Sequence, residues 1–186
     1  MSEPNNSYRD AIGERGELPT CLVDLATDLT KVKTVEELSS TLVIHVQLTL
    51  NACVVVLALL AEDGSEFFCP RIEGYPNEVA NTWRRFPANI HMPIPLAVQN
   101  DELVLLETLE ERQSFYSSDL KLPNQVGRAL AAIPFRQGEV IGAIGLTFPS
   151  DRKFQDNDRS LFRAVARLCA MSLNKVRLHG LGIEGV

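Results

Sequence analysis

Cysteine and histidine are the residues with which this chain could do covalent or metal chemistry, and their spacing limits both. The four cysteines (Cys21, Cys53, Cys69, Cys169) form no Cys-x-x-Cys pair, and no His/Asp/Glu cluster has metal-site spacing. Cysteine catalysis wants an exposed, electropositive thiolate with a resolving partner. Cys53 opens an apolar run and Cys169 falls mid-helix, so both read as core residues. Cys69, followed by Pro70 and Arg71, is the one worth testing. His45 lies beside an apolar stripe, His91 in an irregular stretch and His179 past the last helical turns. No Gly-x-Ser-x-Gly, phosphate-loop or His-Glu-x-x-His motif occurs. Gly142 and Gly145 lie inside a strand pattern, where small residues let a helix approach the sheet; a phosphate loop would need a strand-to-helix junction. The expectation is a protein that is not an enzyme. A recognition cluster remains: Trp83, the single tryptophan, then Arg84, Arg85 and Phe86. Trp83 and Phe86, three apart, would share one face of a short helix.

Composition narrows the setting. The 186 residues fit one domain, with 45% hydrophobic and 23% charged residues. A net charge of −6 repels phosphate backbones, so a nucleic-acid partner is not expected. Residues Met1 to Glu17 hold no apolar run of the kind a signal peptide needs. The most apolar stretch, Ala52 to Ala61, is about half a bilayer span. A soluble, cytoplasmic protein without a membrane partner is expected, and the cysteines suit a reducing compartment.

The elements that must position these residues follow from periodicity. Residues 1–18 read as a flexible arm. Leu22, Leu25, Ala26, Leu29 and Val32 give a helix from Pro19 to Lys31. Thr34-x-x-Glu37 is a capping box opening a second helix, with Val35, Leu38, Leu42 and Val46 inward. Cys53 to Leu60 suits a strand buried on both faces. Asp63-Gly64 turns it into a partner, Glu66 to Ile72. Asn77 to Phe86 reads as a short helix. Pro87, Pro93 and Pro95 exclude regular interior structure over 87–100. A strand at Leu103–Leu106, a mixed stretch to Ser114 and a polar loop over Phe115–Asn124 come next. Arg136-Gln137-Gly138-Glu139 joins a strand ending at Phe135 to another over Val140–Phe148. In the last helix Leu161, Ala164, Leu168, Met171 and Leu178 form one apolar stripe; Phe162, Val165, Cys169 and Val176 form another. His179-Gly180-Leu181-Gly182 is expected to end it.

The Ile133-Pro134-Phe135 strand, Gly138, the Val140-Ile141-Gly142-Ala143-Ile144-Gly145 strand and the Phe154-x-x-x-Asp158 helix start resemble the C-terminal half of a GAF domain, a small-molecule sensing and dimerisation module. The resemblance covers roughly Leu22 to Leu178. It implies an α+β sandwich: a central antiparallel sheet of five to six strands, N- and C-terminal helices on one face, and an irregular loop and short-helix region on the other. The implied domain is 19–179, with a short tail over 180–186. By position in that fold, Phe68, Arg71, Tyr75, Trp83, Arg84, Arg85, Phe86, His91 and Met92 fall around the ligand pocket. Trp83 and Tyr75 would line a cavity while an arginine meets an anionic group; alternatively Trp83 and Phe86 are the apolar face of a helix covering the sheet.

A haem-binding member would need an axial histidine, and His91 is the one so placed. No cysteine precedes a histidine as in bilin-binding members. Arg159 follows Asp158, and no Asn-Lys pair precedes Phe154, unlike the cyclic-nucleotide pattern. Phe154 is therefore read as packing the helix start, with Asp156 and Asp158 favouring its N-terminal dipole. The resemblance implies a signalling sensor for an unidentified small molecule, acting through a helical homodimer. The alternative is a ligand-free dimerisation module with a filled pocket. No output domain follows before Val186, so the module is expected to stand alone or to have its output domain absent from this chain.

Overall fold

Two apolar segments, each buried on both faces, form the centre of the sheet, and the remaining elements cover them. The computed structural model describes residues 18–116 and 126–183. Of the expected arm over 1–18, loop over 115–124 and tail over 180–186, residues 1–17, 117–124 and 184–186 lie outside the described residues. Val54–Leu60 (β1) and Glu139–Thr147 (β6) pair antiparallel from Val54↔Thr147 to Leu59↔Gly142. β1 also pairs with Glu66–Glu73 (β2), and β6 with Leu130–Gln137 (β5). The short strands Arg85–Pro87 (β3) and Val104–Leu106 (β4) close the edges. The sheet has six strands, all antiparallel, in the order β3-β2-β1-β6-β5-β4. Gly64 and Gly138 adopt φ of 70° and 76° at the two hairpins, as their sequences demand.

One face is covered by long helices. Thr34 caps Val35–Leu50 (α2): its Oγ1 accepts the Glu37 N–H at 3.1 Å, and the Glu37 carboxylate accepts the Lys33 N–H at 2.7 Å. α2 lies on β1 and β2, Asp156–Ile183 (α6) lies on β5, and Leu18–Leu29 (α1) packs against both helices. The core here joins Val55, Leu57, Ile133, Phe135, Ile144 and Leu146 of the sheet to Leu38, Leu42, Phe162 and Leu173. Each such side chain contributes roughly 1.5–3 kcal/mol by leaving water. The Phe162/Val165/Cys169/Val176 stripe is the one that faces the sheet; Met171 and Leu178 of the other stripe stand 70% and 60% exposed. Phe154 packs edge-on against Phe148 and Phe162, and Asp158 accepts the Gln155 N–H at 3.0 Å, as expected for the helix start.

The other face is covered by short pieces: Asn77–Thr82 (α3), Pro93–Asn100 (α4) and Leu109–Phe115 (α5). Four expectations are corrected. The helix expected over Asn77–Phe86 stops at Thr82, and Phe86 belongs to edge strand β3, where it pairs with Phe67. The stretch from Pro93 is helical, because Pro93 and Pro95 fall in the first turn, where the missing N–H groups would be unpaired anyway. The mixed stretch before Ser114 is α5, capped by Thr108, which accepts from Glu111 N–H in the same Thr-x-x-Glu pattern as α2. α6 continues through His179 and Gly180 to Ile183.

Gly142 and Gly145 serve opposite faces of β6. A Cβ at Gly145 would meet Ile94 of α4 at 3.0 Å, as expected for a helix approaching the sheet; one at Gly142 would meet the Ala58 carbonyl oxygen at 2.3 Å and the Phe135 ring at 2.6 Å. Because the first obstacle at Gly142 is backbone of the central strand, Gly142→Ala should cost about 2–4 kcal/mol, read as a lower denaturant midpoint; an unchanged midpoint would contradict this packing.

Candidate functional site

The short helices leave part of the second sheet face uncovered. Val54 and Val56 of β1, Leu130 of β5 and Gly145 and Thr147 of β6 border a cavity of about 90 Å³ there. That is about six to nine times what one water-sized sphere needs. Ile72, Tyr75, Trp83 and Phe86 close one side, and Met92, Pro93 and Ile94, at the start of α4, another. Arg112 and Tyr116 close the end beneath α5. The wall is mainly apolar, with few polar groups, as small-molecule sites are.

Of the nine residues placed here by sequence, Tyr75, Trp83, Phe86 and Met92 border the cavity. The others do not. The β1–β2 register shifts between Leu57 and Leu59, so Phe68 pairs with Leu59 of the helix-side core while Phe67 and Cys69 join the cavity-side cluster. Phe68 instead lies under the Arg85 guanidinium, 5.0 Å from its ring centre, and Arg85 pairs with Glu66. Arg71 is exposed and pairs with Glu73 at 2.8 Å. Arg71 and Arg84 border a separate groove beside Cys69. His91 is exposed and stacks on Phe115 at 4.6 Å. It is not among the cavity walls. Among the described residues no group of three His, Cys, Asp or Glu could hold a metal ion.

Sequence reading missed Arg112, which is 2% exposed. Its Nη1 donates to the carbonyls of Val126 and Gly127, both at 3.1 Å. Its Nε is buried with no hydrogen-bond partner. Among the described residues no carboxylate forms an ion pair with it. Several contacts fix α5 and hence Arg112. Thr108 and Glu111 cap the helix, the Leu109 N–H donates to Asp151 at 3.1 Å, and Arg128 grips Asp151 through Nε and Nη2 at 2.9 and 3.0 Å. The Arg128 bond is the main reason the Asp151 carboxyl titrates below its ordinary range. The repeated Thr-x-x-Glu signal was available in the sequence; the burial of Arg112 was not. Burial pushes the Tyr116 phenol up, with the Arg112 charge pulling part of the way back, so the hydroxyl is neutral.

A GAF domain family model matches residues 34–173, three quarters of the chain. The chain belongs to the GAF domain family. Solved structures share its fold at low identity. The GAF domain of a phosphoenolpyruvate-protein phosphotransferase from Coxiella burnetii superposes with a TM-score of 0.75 at 15% identity, covering 88% of this chain and 96% of that one. Free methionine-R-sulfoxide reductase from Neisseria meningitidis, in complex with its substrate, gives 0.69 at 12% identity, covering 87% and 90%. Residues 122–287 of a methyl-accepting chemotaxis protein give 0.65 at 13% identity, covering 86% and 99%. Among curated proteins none matches the sequence at a significant level.

Cys69 does not offer a reactive thiolate. It is 1% exposed, and burial pushes its thiol up to about 12. About a thousandfold less thiolate than an ordinary thiol should be present near pH 8. Labelling with an aromatic disulfide should therefore modify Cys69 only on unfolding; rapid native labelling, located by peptide mass, would reverse this conclusion.

Proposed function

We propose that this chain is a regulatory GAF module that binds a small molecule in the cavity and acts through a helical homodimer in signal transduction. The observation that carries the reading is the cavity itself. A ligand-free module with a filled pocket would have Trp83 and Met92 packed on the sheet with no space left; here both border about 90 Å³. The position between the sheet and the short helices, with one buried arginine at its end, suits a ligand that shifts a conformational equilibrium.

A regulatory role is favoured over catalysis. The neighbour in complex with a substrate is a reductase, but likeness at 12% identity carries the fold alone. Cys69 and Cys169 are both buried with thiols raised to about 12, which opposes thiol chemistry. The same proposal places the protein in the cytoplasm without a membrane partner. Its support is that among the described residues no helix is long and apolar enough to cross a bilayer.

The proposed interface is the helix face. Val23, Ile44, Leu48, Met171 and Leu178 are large apolar side chains between 53% and 70% exposed, drawn from α1, α2 and α6. A second copy of this chain would bury them, and apolar exposure across three neighbouring helices marks association. At tens of micromolar the protein should sediment as a dimer, since a micromolar constant corresponds to roughly 8 kcal/mol. Met171→Glu with Leu178→Glu should shift it to monomer; a wild-type monomer at that concentration would sink the dimer.

The ligand proposal is tested by native mass spectrometry of gently purified protein, followed by Trp83 emission on adding back any released compound. Extra mass lost on denaturation, and an emission change on its return, are expected. A clean mass, with no emission response to a metabolite library, would favour the filled-pocket module instead.

A further inference from the structure

We propose that the cavity is built for small organic monocarboxylates whose body is uncharged and largely apolar, with the carboxylate held by Arg112. This rests on the small-molecule reading above and names the class of molecule.

Burying the Arg112 guanidinium without a counter-charge is unfavourable. Its Nη1 is committed to Val126 and Gly127. The unpaired Nε, together with Nη2, forms the side edge of the guanidinium. That edge matches a carboxylate, as Arg128 shows on Asp151 in this same molecule, with Nε and Nη2 at 2.9 and 3.0 Å. A carboxylate that took the place of the Tyr116 hydroxyl, which hydrogen-bonds the Arg112 side chain, would meet this fork at the Arg112 end of the cavity.

The remaining walls choose among anions. No aspartate or glutamate is among the described residues bordering the cavity, so the ammonium of an amino acid would meet no counter-charge on these walls. Arg112 is the one cationic side chain among the described wall residues, which under-compensates a dianionic phosphate. The start of α4 does not help, since Pro93 and Pro95 remove N–H groups that would face an anion. Val54, Val56, Ile94 and Trp83 leave an apolar volume for the body. Plain, keto and hydroxy acids of compact size fit these limits.

Trp83 is the single tryptophan and borders the cavity, so its emission reports occupancy. The probes are 4-methylpentanoate, its neutral amide 4-methylpentanamide, and leucine, which adds an ammonium. On the wild-type protein at pH 7.5 the acid should bind about tenfold or more tighter than the amide, and leucine about tenfold or more weaker than the acid. Arg112→Met should abolish the preference for acid over amide. Because that substitution also frees two carbonyls, its fold is checked by circular dichroism; the wild-type contrast among the three probes stands without it. Amide binding equal to acid binding would overturn the carboxylate assignment and leave the small-molecule cavity intact. Leucine binding as tightly as the acid would overturn the exclusion of amino acids. No response to any of the three, nor to the small neutral probe phenol, would overturn the cavity's role and this inference together.

Discussion

Burial of the β1–β6 pair on both faces is the constraint on which the rest of the structure depends. Val55, Leu57, Ile144 and Leu146 point one way; Val54, Val56 and Ala58 point the other. An antiparallel pair of this kind cannot leave either face to water. Three helices, two of them long, cover one side. The other side is sealed by α3, α4 and α5, the longest of which has eight residues. The cavity lies beside Gly145, whose missing Cβ lets Ile94 of α4 approach the strand.

A charged residue is buried on this side. α5 is too short to be stable alone and is held by its cap, by Asp151 and by the Arg112 bonds to Val126 and Gly127. Those bonds tie α5 to the chain entering β5. Arg112 thus closes one end of the cavity and fastens the segment that covers it. Its satisfied Nη1 and unsatisfied Nε separate these two roles within one side chain.

The sequence made the sheet and long helices legible because their signals are local: alternating or continuous apolar runs, glycine at hairpins, and Thr34-x-x-Glu37. It failed where the outcome depended on neighbours. Phe68 was misplaced because a register shift in the β1–β2 ladder reverses which face it serves, and no pattern within β2 announces this. Phe86 was read as helical from its spacing with Trp83, yet pairing with Phe67 draws it into the sheet edge, where the two rings stack at 5.3 Å. Both side chains still reach one cluster, so the site was half right for an incomplete reason. Arg71 and Arg84 stand out in the sequence as charged residues and His91 as the one histidine so placed for haem, yet all three are exposed. Arg112 was passed over because a charged residue in a mixed segment is ordinarily exposed.

Cavity and proposed dimer face lie on opposite sides of one sheet, which restricts how a ligand could influence assembly. β6 presents Gly145 and Thr147 to the cavity and Ile144 and Leu146 to the helix-side core. β5 presents Leu130 to the cavity and Ala131 and Ile133 to that same core, against which α6 packs. A shift of either strand is therefore felt on both faces, since the core has no slack to absorb it. The central pair is fixed by ladders on both edges and is the stiffer route. β5 has only the three-residue β4 outside it and continues back to the carbonyls that Arg112 holds. On the proposed reading, an anion drawing on Arg112 would pull at the start of β5, and β5 is the strand on which α6 rests. On that reading coupling between the faces runs mainly through β5, which borders the cavity at Leu130 and carries most of the packing of the helix with Met171 and Leu178.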